Sequence, residues 1–286
     1  MRPGGPIASG PLPAPPDDGA QTVRRALAVL RLVATGQEHG VRLTDLAAMS
    51  GLSRPTVHRL LKALGDETAV EQDPETRRYR IGPELALLGL ARAVPFPIRA
   101  IAEPGLLALA RQAADTVFLS LRHGADSVCV ARHVGHHAIQ VLSIDVGARR
   151  PLGASVSGIA LLAALEPEQA RSLTLANAPR LAQRGRSTAA VLRQVQAARQ
   201  LGYAYAAEGV MPGTSALATT VRDADGEAVA AISIAALAER LDRRRMPLVL
   251  AMMQEQGRNI ARRLVEVERA QAGRRRAAAH AESARG

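Results

Sequence analysis

Leu43-Thr-Asp-Leu-Ala-Ala-Met-Ser-Gly51-Leu-Ser53-Arg-Pro-Thr-Val-His-Arg-Leu-Leu-Lys62-Ala-Leu64 is a pair of short apolar-periodic segments hinged on a glycine. Leu43, Leu46 and Ala47 form one apolar stripe, and Val57, Leu60, Leu61 and Leu64 form another, both at helical spacing. Gly51 stands where the chain must turn sharply, a task for which glycine carries no steric penalty. Ser53 is placed to cap the second segment, and Pro55 is tolerated in its first turn. Arg54, Thr56, His58, Arg59 and Lys62 stay off the apolar face. The pattern predicts a helix-turn-helix whose second helix meets a DNA major groove, where arginine can pair bidentately with guanine.

Working outward, residues 22–35 carry Val23, Ala26, Leu27, Leu30 and Val33 on one face of a predicted helix, with Arg24 and Arg25 largely off it, and Gly36 follows. Downstream, residues 69–71 and 77–81 flank Asp73-Pro74-Glu75-Thr76, a turn-forming cluster, which predicts a β-hairpin and makes the unit a winged helix-turn-helix spanning residues 21–83. Gln21 and Arg24 near the first helix and Arg77, Arg78 and Tyr79 on the wing suit contacts to the DNA backbone or minor groove that position rather than specify. An ordinary solvated helix face would carry similar charges; helix, turn, cap and wing occurring in order favour DNA.

The charge balance agrees. The 286 residues carry a formal net charge of +11, almost wholly from arginine, since Lys62 is the sole lysine. Such an excess suits a polyanionic partner. The length accommodates about two domains. One cysteine, Cys129, excludes an intrachain disulfide framework and fits a cytoplasmic protein. No apolar run reaches the roughly 18 residues that span a bilayer, and the first residues lack the layout of a secretory signal, so no membrane partner is expected.

Residues 1–20, rich in Pro and Gly, are expected to be a disordered arm, and residues 271–286 a disordered tail. Residues 84–94 predict a linker helix that stops at Pro95-Phe-Pro97, giving a linker over 84–96. Beyond it, residues 97–270 alternate between predicted helices (98–114, 155–165, 167–176, 188–201 and 245–270) and predicted strands. The strands are 116–121, 127–132, 138–144, 203–207, 216–221 and 228–234, with Asp225-Gly226 as a hairpin turn. The fold class is α+β: a winged helix-turn-helix followed by an antiparallel sheet with packed helices.

This order of parts resembles the IclR family of bacterial transcription regulators over residues 20–270. Thr22-Val-Arg-Arg-Ala-Leu-Ala-Val-Leu is similar to the family's opening helix, Leu52-Ser-Arg-Pro-Thr-Val-His-Arg-Leu-Leu to its recognition helix, and Arg77-Arg-Tyr-Arg-Ile-Gly-Pro to its wing exit. Arg150-Pro-Leu-Gly-Ala-Ser-Val-Ser-Gly158-Ile-Ala-Leu-Leu-Ala resembles its loop-to-helix segment, and Gly202-Tyr-Ala with Pro212-Gly213 its signature region. The resemblance implies a GAF-like effector-binding and oligomerisation domain, with a pocket near Gly153, Ala154, Ser155, Ser157, Ala206, Ala216, Leu217 and Ser233. It implies a transcription regulator, read first as a repressor, that binds double-stranded DNA and a small organic or aromatic acid. A homodimer or dimer of dimers follows from it, and no cofactor.

The chain departs from the family pattern at Ala206, where an acid is usual, at Gly209, where Glu is, and at Ala216, often Cys; Ile159 replaces a Lys and Ala235 a Ser. A less polar pocket follows, suited to a ligand bulkier or more apolar than a two-carbon acid. Ser155 could equally cap the helix that begins beside it. Two other readings stay open: a ligand-independent DNA-binding dimer with a degenerate pocket, and an enzyme or sensor with an appended DNA-binding head. No nucleophile elbow or phosphate-cradling loop supports catalysis. His133, His136 and His137 lie on a predicted strand-turn without a completing ligand set, so no metal is expected.

Overall fold

Helix α1 (Gln21–Ala34), α2 (Leu43–Ser50) and α3 (Arg54–Asp66) bury Val29, Val33, Leu46, Val57, Leu60 and Leu61 against one another in the computed structural model, which describes residues 20–36, 39–91, 97–209 and 211–283. Gly51 ends α2 at φ +68°, the left-handed conformation that lets the chain reverse. Strands β1 (Val70–Gln72) and β2 (Tyr79–Ile81) form the antiparallel hairpin, and helix α4 (Pro83–Leu90) follows. The α1 stripe is rotated from the expected one: Val29 and Val33 are buried, whereas Val23 and Leu27 are exposed. Of the expected linker, residues 92–96 lie outside the described residues, as do residues 1–19 of the expected arm and 284–286 of the expected tail.

The chain divides into two compact units, Met1–Pro95 and Phe96–Gly286. The second is built on a six-stranded antiparallel sheet in the order β5-β4-β3-β8-β7-β6. Its strands are β3 (Thr116–His123), β4 (Asp126–His133), β5 (Arg149–Pro151), β6 (Ala204–Ala206), β7 (Thr214–Arg222) and β8 (Ala228–Leu237). Strand alternation sends successive side chains to opposite faces. Val117, Leu119, Leu217, Ile232 and Ile234 pack beneath α5 (Pro97–Ala113) and α10 (Met246–Ser283). The opposite face carries α6 (Val156–Ala163), α7 (Pro167–Ala176), α8 (Ala178–Ala182) and α9 (Thr188–Leu201). Asp115, almost wholly buried, ties the start of β3 to the start of α10 through Arg240 (2.9 Å) and Arg245 (2.8 Å).

Two expectations change. Residues 138–144 form no strand, and the ladder partner of β4 is the later β5. Side chains tie the segment down instead: Arg132 donates to the Ile144 carbonyl (3.3 Å) and Arg150 to the Ser143 carbonyl (2.6 Å), while the Gln140 side chain donates outward to the carbonyls of Ala114 and His137. Apolar alternation alone cannot distinguish such an unpaired segment, bent at 136–139, from a strand. The expected tail is helical through Ser283, because the alanine- and arginine-rich run 274–280 has high helix propensity and the interior Gly273 costs only about 1 kcal/mol.

Candidate DNA-binding surface and effector cavity

The recognition surface follows from how α3 is capped. Ser53 accepts the Thr56 backbone N–H at 3.4 Å, and the two hydroxyls share a hydrogen bond at 2.8 Å. Thr56 is therefore half-buried and partly engaged, whereas Ser53, Arg54, His58, Arg59 and Lys62 are exposed. None of Arg54, Arg59 and Lys62 pairs with a carboxylate among the described residues. Gln21 and Arg24 are exposed on the first turns of α1.

On the wing the expected residues part company. Arg77 is exposed at the hairpin tip with φ +58°. Arg78 is half-buried and donates to the Gly40 carbonyl at 3.1 Å. Tyr79 faces inward, 8% exposed within the core, because its backbone bridges Val41 and strand alternation then points its ring at α1 to α3 rather than outward. Asp73 accepts the N–H groups of Thr76 and Glu75 and the Thr76 hydroxyl. The Thr76 N–H, then its hydroxyl, hold the Asp73 carboxyl below its ordinary value.

The second unit holds a cavity of about 450 Å³ on the α6 and α9 side of the sheet. Six of the eight expected effector residues line it: Ala154, Ser155, Ser157, Ala206, Ala216 and Ser233. Ser155 caps α6 by accepting the Gly158 N–H at 3.3 Å, so lining and capping coincide. Ser157 donates to Ser233 at 2.9 Å, linking α6 to β8 across the cavity floor. Leu217 does not belong here; next to Ala216 on β7, it points to the opposite face and packs in the α5/α10 core. Gly153 does not line the cavity either. At φ +96°, with space for a Cβ only 2.7 Å from Val191 Cγ1, it lets the loop approach α9.

The sequence reading missed most of the wall. Phe118, Val141 and Ile144 give it an apolar side, and Arg150, Arg184, Arg186 and Gln194 a polar one. The strongest signal available was Gln183-Arg-Gly-Arg186, two arginines flanking a glycine between helices, but nothing local to it specifies that it folds over the distant β8. Arg150 and Arg186 both have a lowered tendency to hold their protons: burial is the main cause at each, and the neighbouring Arg184 charge adds to it at Arg150. Cys129 lies in the small apolar cluster behind Phe118, where burial pushes its thiol up to about 11 and leaves it inert near neutrality. His133 faces Glu103 at 3.3 Å while His137 folds onto the Ile139 carbonyl, so the histidines do not converge.

Comparison with known proteins matches both parts of the chain. Residues 22–74 match the model of the IclR helix-turn-helix domain, and residues 92–262 that of the bacterial transcriptional regulator IclR C-terminal domain. The chain is 32% identical to the glycerol operon regulatory protein of Streptomyces griseus over 77% of this chain and 86% of that protein. It is 29% identical to the HTH-type transcriptional repressor AllR of Escherichia coli K12 over 85% of this chain and 90% of that one. An IclR homologue from Microbacterium hydrocarbonoxydans, solved in complex with 4-hydroxybenzoate, shares the fold with a TM-score of 0.64 at 21% identity, covering 84% of this chain and 98% of its own. With a helix-turn-helix and a C-terminal effector domain both matched in order, the chain belongs to the IclR family of bacterial transcriptional regulators, and it is a regulator rather than an enzyme.

Proposed function

We propose that this regulator is a repressor that binds double-stranded DNA sequence-specifically through α3 and is controlled by a small organic acid held in the cavity of the second unit. The exposed cations of α3 carry the DNA reading: Arg54, Arg59 and Lys62 stand on one solvent-facing surface without a carboxylate partner among the described residues. His58, exposed on the same helix, joins them, while Gln21, Arg24 and Arg77 add positioning contacts to the DNA backbone. Tyr79 serves the core. Repression accords with the name of the AllR relative, and an aromatic acid with the ligand in the Microbacterium structure.

The open cavity favours a ligand-controlled protein over a DNA-binding dimer with a filled, degenerate pocket, and its volume exceeds what a two-carbon acid occupies. We place the protein in the cytoplasm as a homodimer or dimer of dimers. Exposed Val23 and Leu27 on α1 and Leu87, Leu88 and Leu90 on α4 give the first unit apolar surface suited to self-association. No helix among the described residues is long and apolar enough to cross a membrane. Footprinting on a duplex selected from a random pool, with and without aromatic carboxylates, tests the switch. The expected result is a protected site whose protection changes with the acid; identical protection with every acid that binds would remove the control.

A further inference from the structure

We infer that the anionic end of the effector is recognised by a guanidinium wall, Arg186 with Arg150 and Arg184, facing the apolar side of the cavity. The inference deepens the reading of that cavity as an effector site and rests on it. Arg186 is half-buried, with one Nη bonded to Gln194 and its Nε buried without a hydrogen-bond partner. The Arg150 side chain, also half-buried, donates to the Ser143 carbonyl, a neutral acceptor. Neither pairs with a carboxylate among the described residues, and the sole acid lining the cavity, Glu208, is exposed and makes no ion pair there.

Half-burying two guanidiniums without a carboxylate partner is unfavourable: burial opposes the charged form of both, and the neighbouring Arg184 charge opposes it further at Arg150. A ligand carboxylate would relieve this by offering a planar pair of acceptors to the guanidinium fork. Of the serines, Ser157 spends its hydroxyl proton on Ser233, whereas Ser155, which only accepts the Gly158 N–H, and Ser233 keep theirs for further polar contacts to the ligand; they are neutral donors beside the charged fork. Phe118, Val141 and Ile144 then accommodate an apolar body. The ligand class is an aromatic or alicyclic acid, with the carboxylate toward the loop between α8 and α9.

The test uses the full chain and matched probes: phenylacetate against phenylacetamide and cyclohexanecarboxylate against its carboxamide, by calorimetry and thermal shift. At least one acid should bind saturably and more than tenfold tighter than its amide. Arg186→Gln should weaken the acid at least tenfold and leave the amide unchanged, with Arg186→Lys intermediate; the exposed Arg184→Gln, with no packing to lose, should weaken the acid severalfold. Acid and amide binding alike, no saturable binding by either acid, or undiminished acid affinity in Arg186→Gln and Arg184→Gln would overturn the proposal. DNA affinity measured in parallel separates the two readings. Acid binding through Arg186 that leaves DNA affinity untouched sinks the switch and keeps the wall, whereas DNA release driven by the amide in the Arg186→Gln variant does the reverse.

Discussion

The α3 surface and the cavity wall use the same side chain in opposite settings. Arg54 and Arg59 are exposed on a single helix, whereas Arg150 and Arg186 are half-buried and come from β5 and from the loop before α9. A solvated guanidinium costs little to hold, and its gain on binding DNA is largely the release of counterions from phosphate. A half-buried one is already stripped of part of its water, so its contact with a ligand is stronger, less screened and more dependent on fit. One arrangement suits reading a long polyanion, the other selecting a small one.

Salt should separate the two most widely. With roughly 6–10 phosphate contacts, DNA affinity should fall by about 10³- to 10⁵-fold between ~50 and ~200 mM salt, while acid binding in the cavity should change by less than about tenfold. Equal salt slopes would break the contrast. Beneath the cavity, Leu217→Ala should destabilise the second unit by about 2–5 kcal/mol in urea unfolding, as expected for a fully buried leucine. A loss of ligand affinity without that destabilisation would return Leu217 to the cavity wall.

On the DNA side, Arg59→Ala should cost about 1–3 kcal/mol of affinity for a selected duplex, measured by electrophoretic shift at fixed salt. Undiminished affinity with an unchanged salt slope would take Arg59 out of the interface. The smallest effect concerns the wing. Its Asp73 carboxyl is held below 3.8 by the N–H and hydroxyl of Thr76, so the stabilisation is complete above 3.8 and disappears as pH falls through the lower folded value. An NMR titration of the Thr76 amide should show a midpoint below 3.8; one at or above it would mean the turn is not holding the charge.

What could be read from the sequence follows the same divide. The helix-turn-helix depends on contacts between near neighbours, so the cap at Ser53, the turn at Gly51 and the buried Val57, Leu60 and Leu61 are all written within a score of residues. Helices α7 and α9, bounded by Pro167 and by Ser187 with Gly202, were likewise legible to the residue. Tyr79 was not: its direction depends on a bridge to Val41, 38 positions away. The effector residues carried over by resemblance located the floor, where α6 meets β7 and β8. Arg150, Arg184 and Arg186 escaped because only the closed sheet brings their segments to one cavity, and a solvated loop arginine has the same local sequence as a buried one.

The central pair of the sheet has a consequence in time. β3 pairs with β8, Thr116 opposite Ala235, so the middle of the second unit joins segments more than a hundred residues apart. The sheet therefore cannot close until β8, which ends at Leu237, has left the ribosome, whereas the last strand of the first unit ends at Ile81. At ~5–20 residues per second, that interval is roughly 8–30 s. Each new chain thus has all the residues of its helix-turn-helix and wing outside the ribosome for roughly 8–30 s before the second sheet can close.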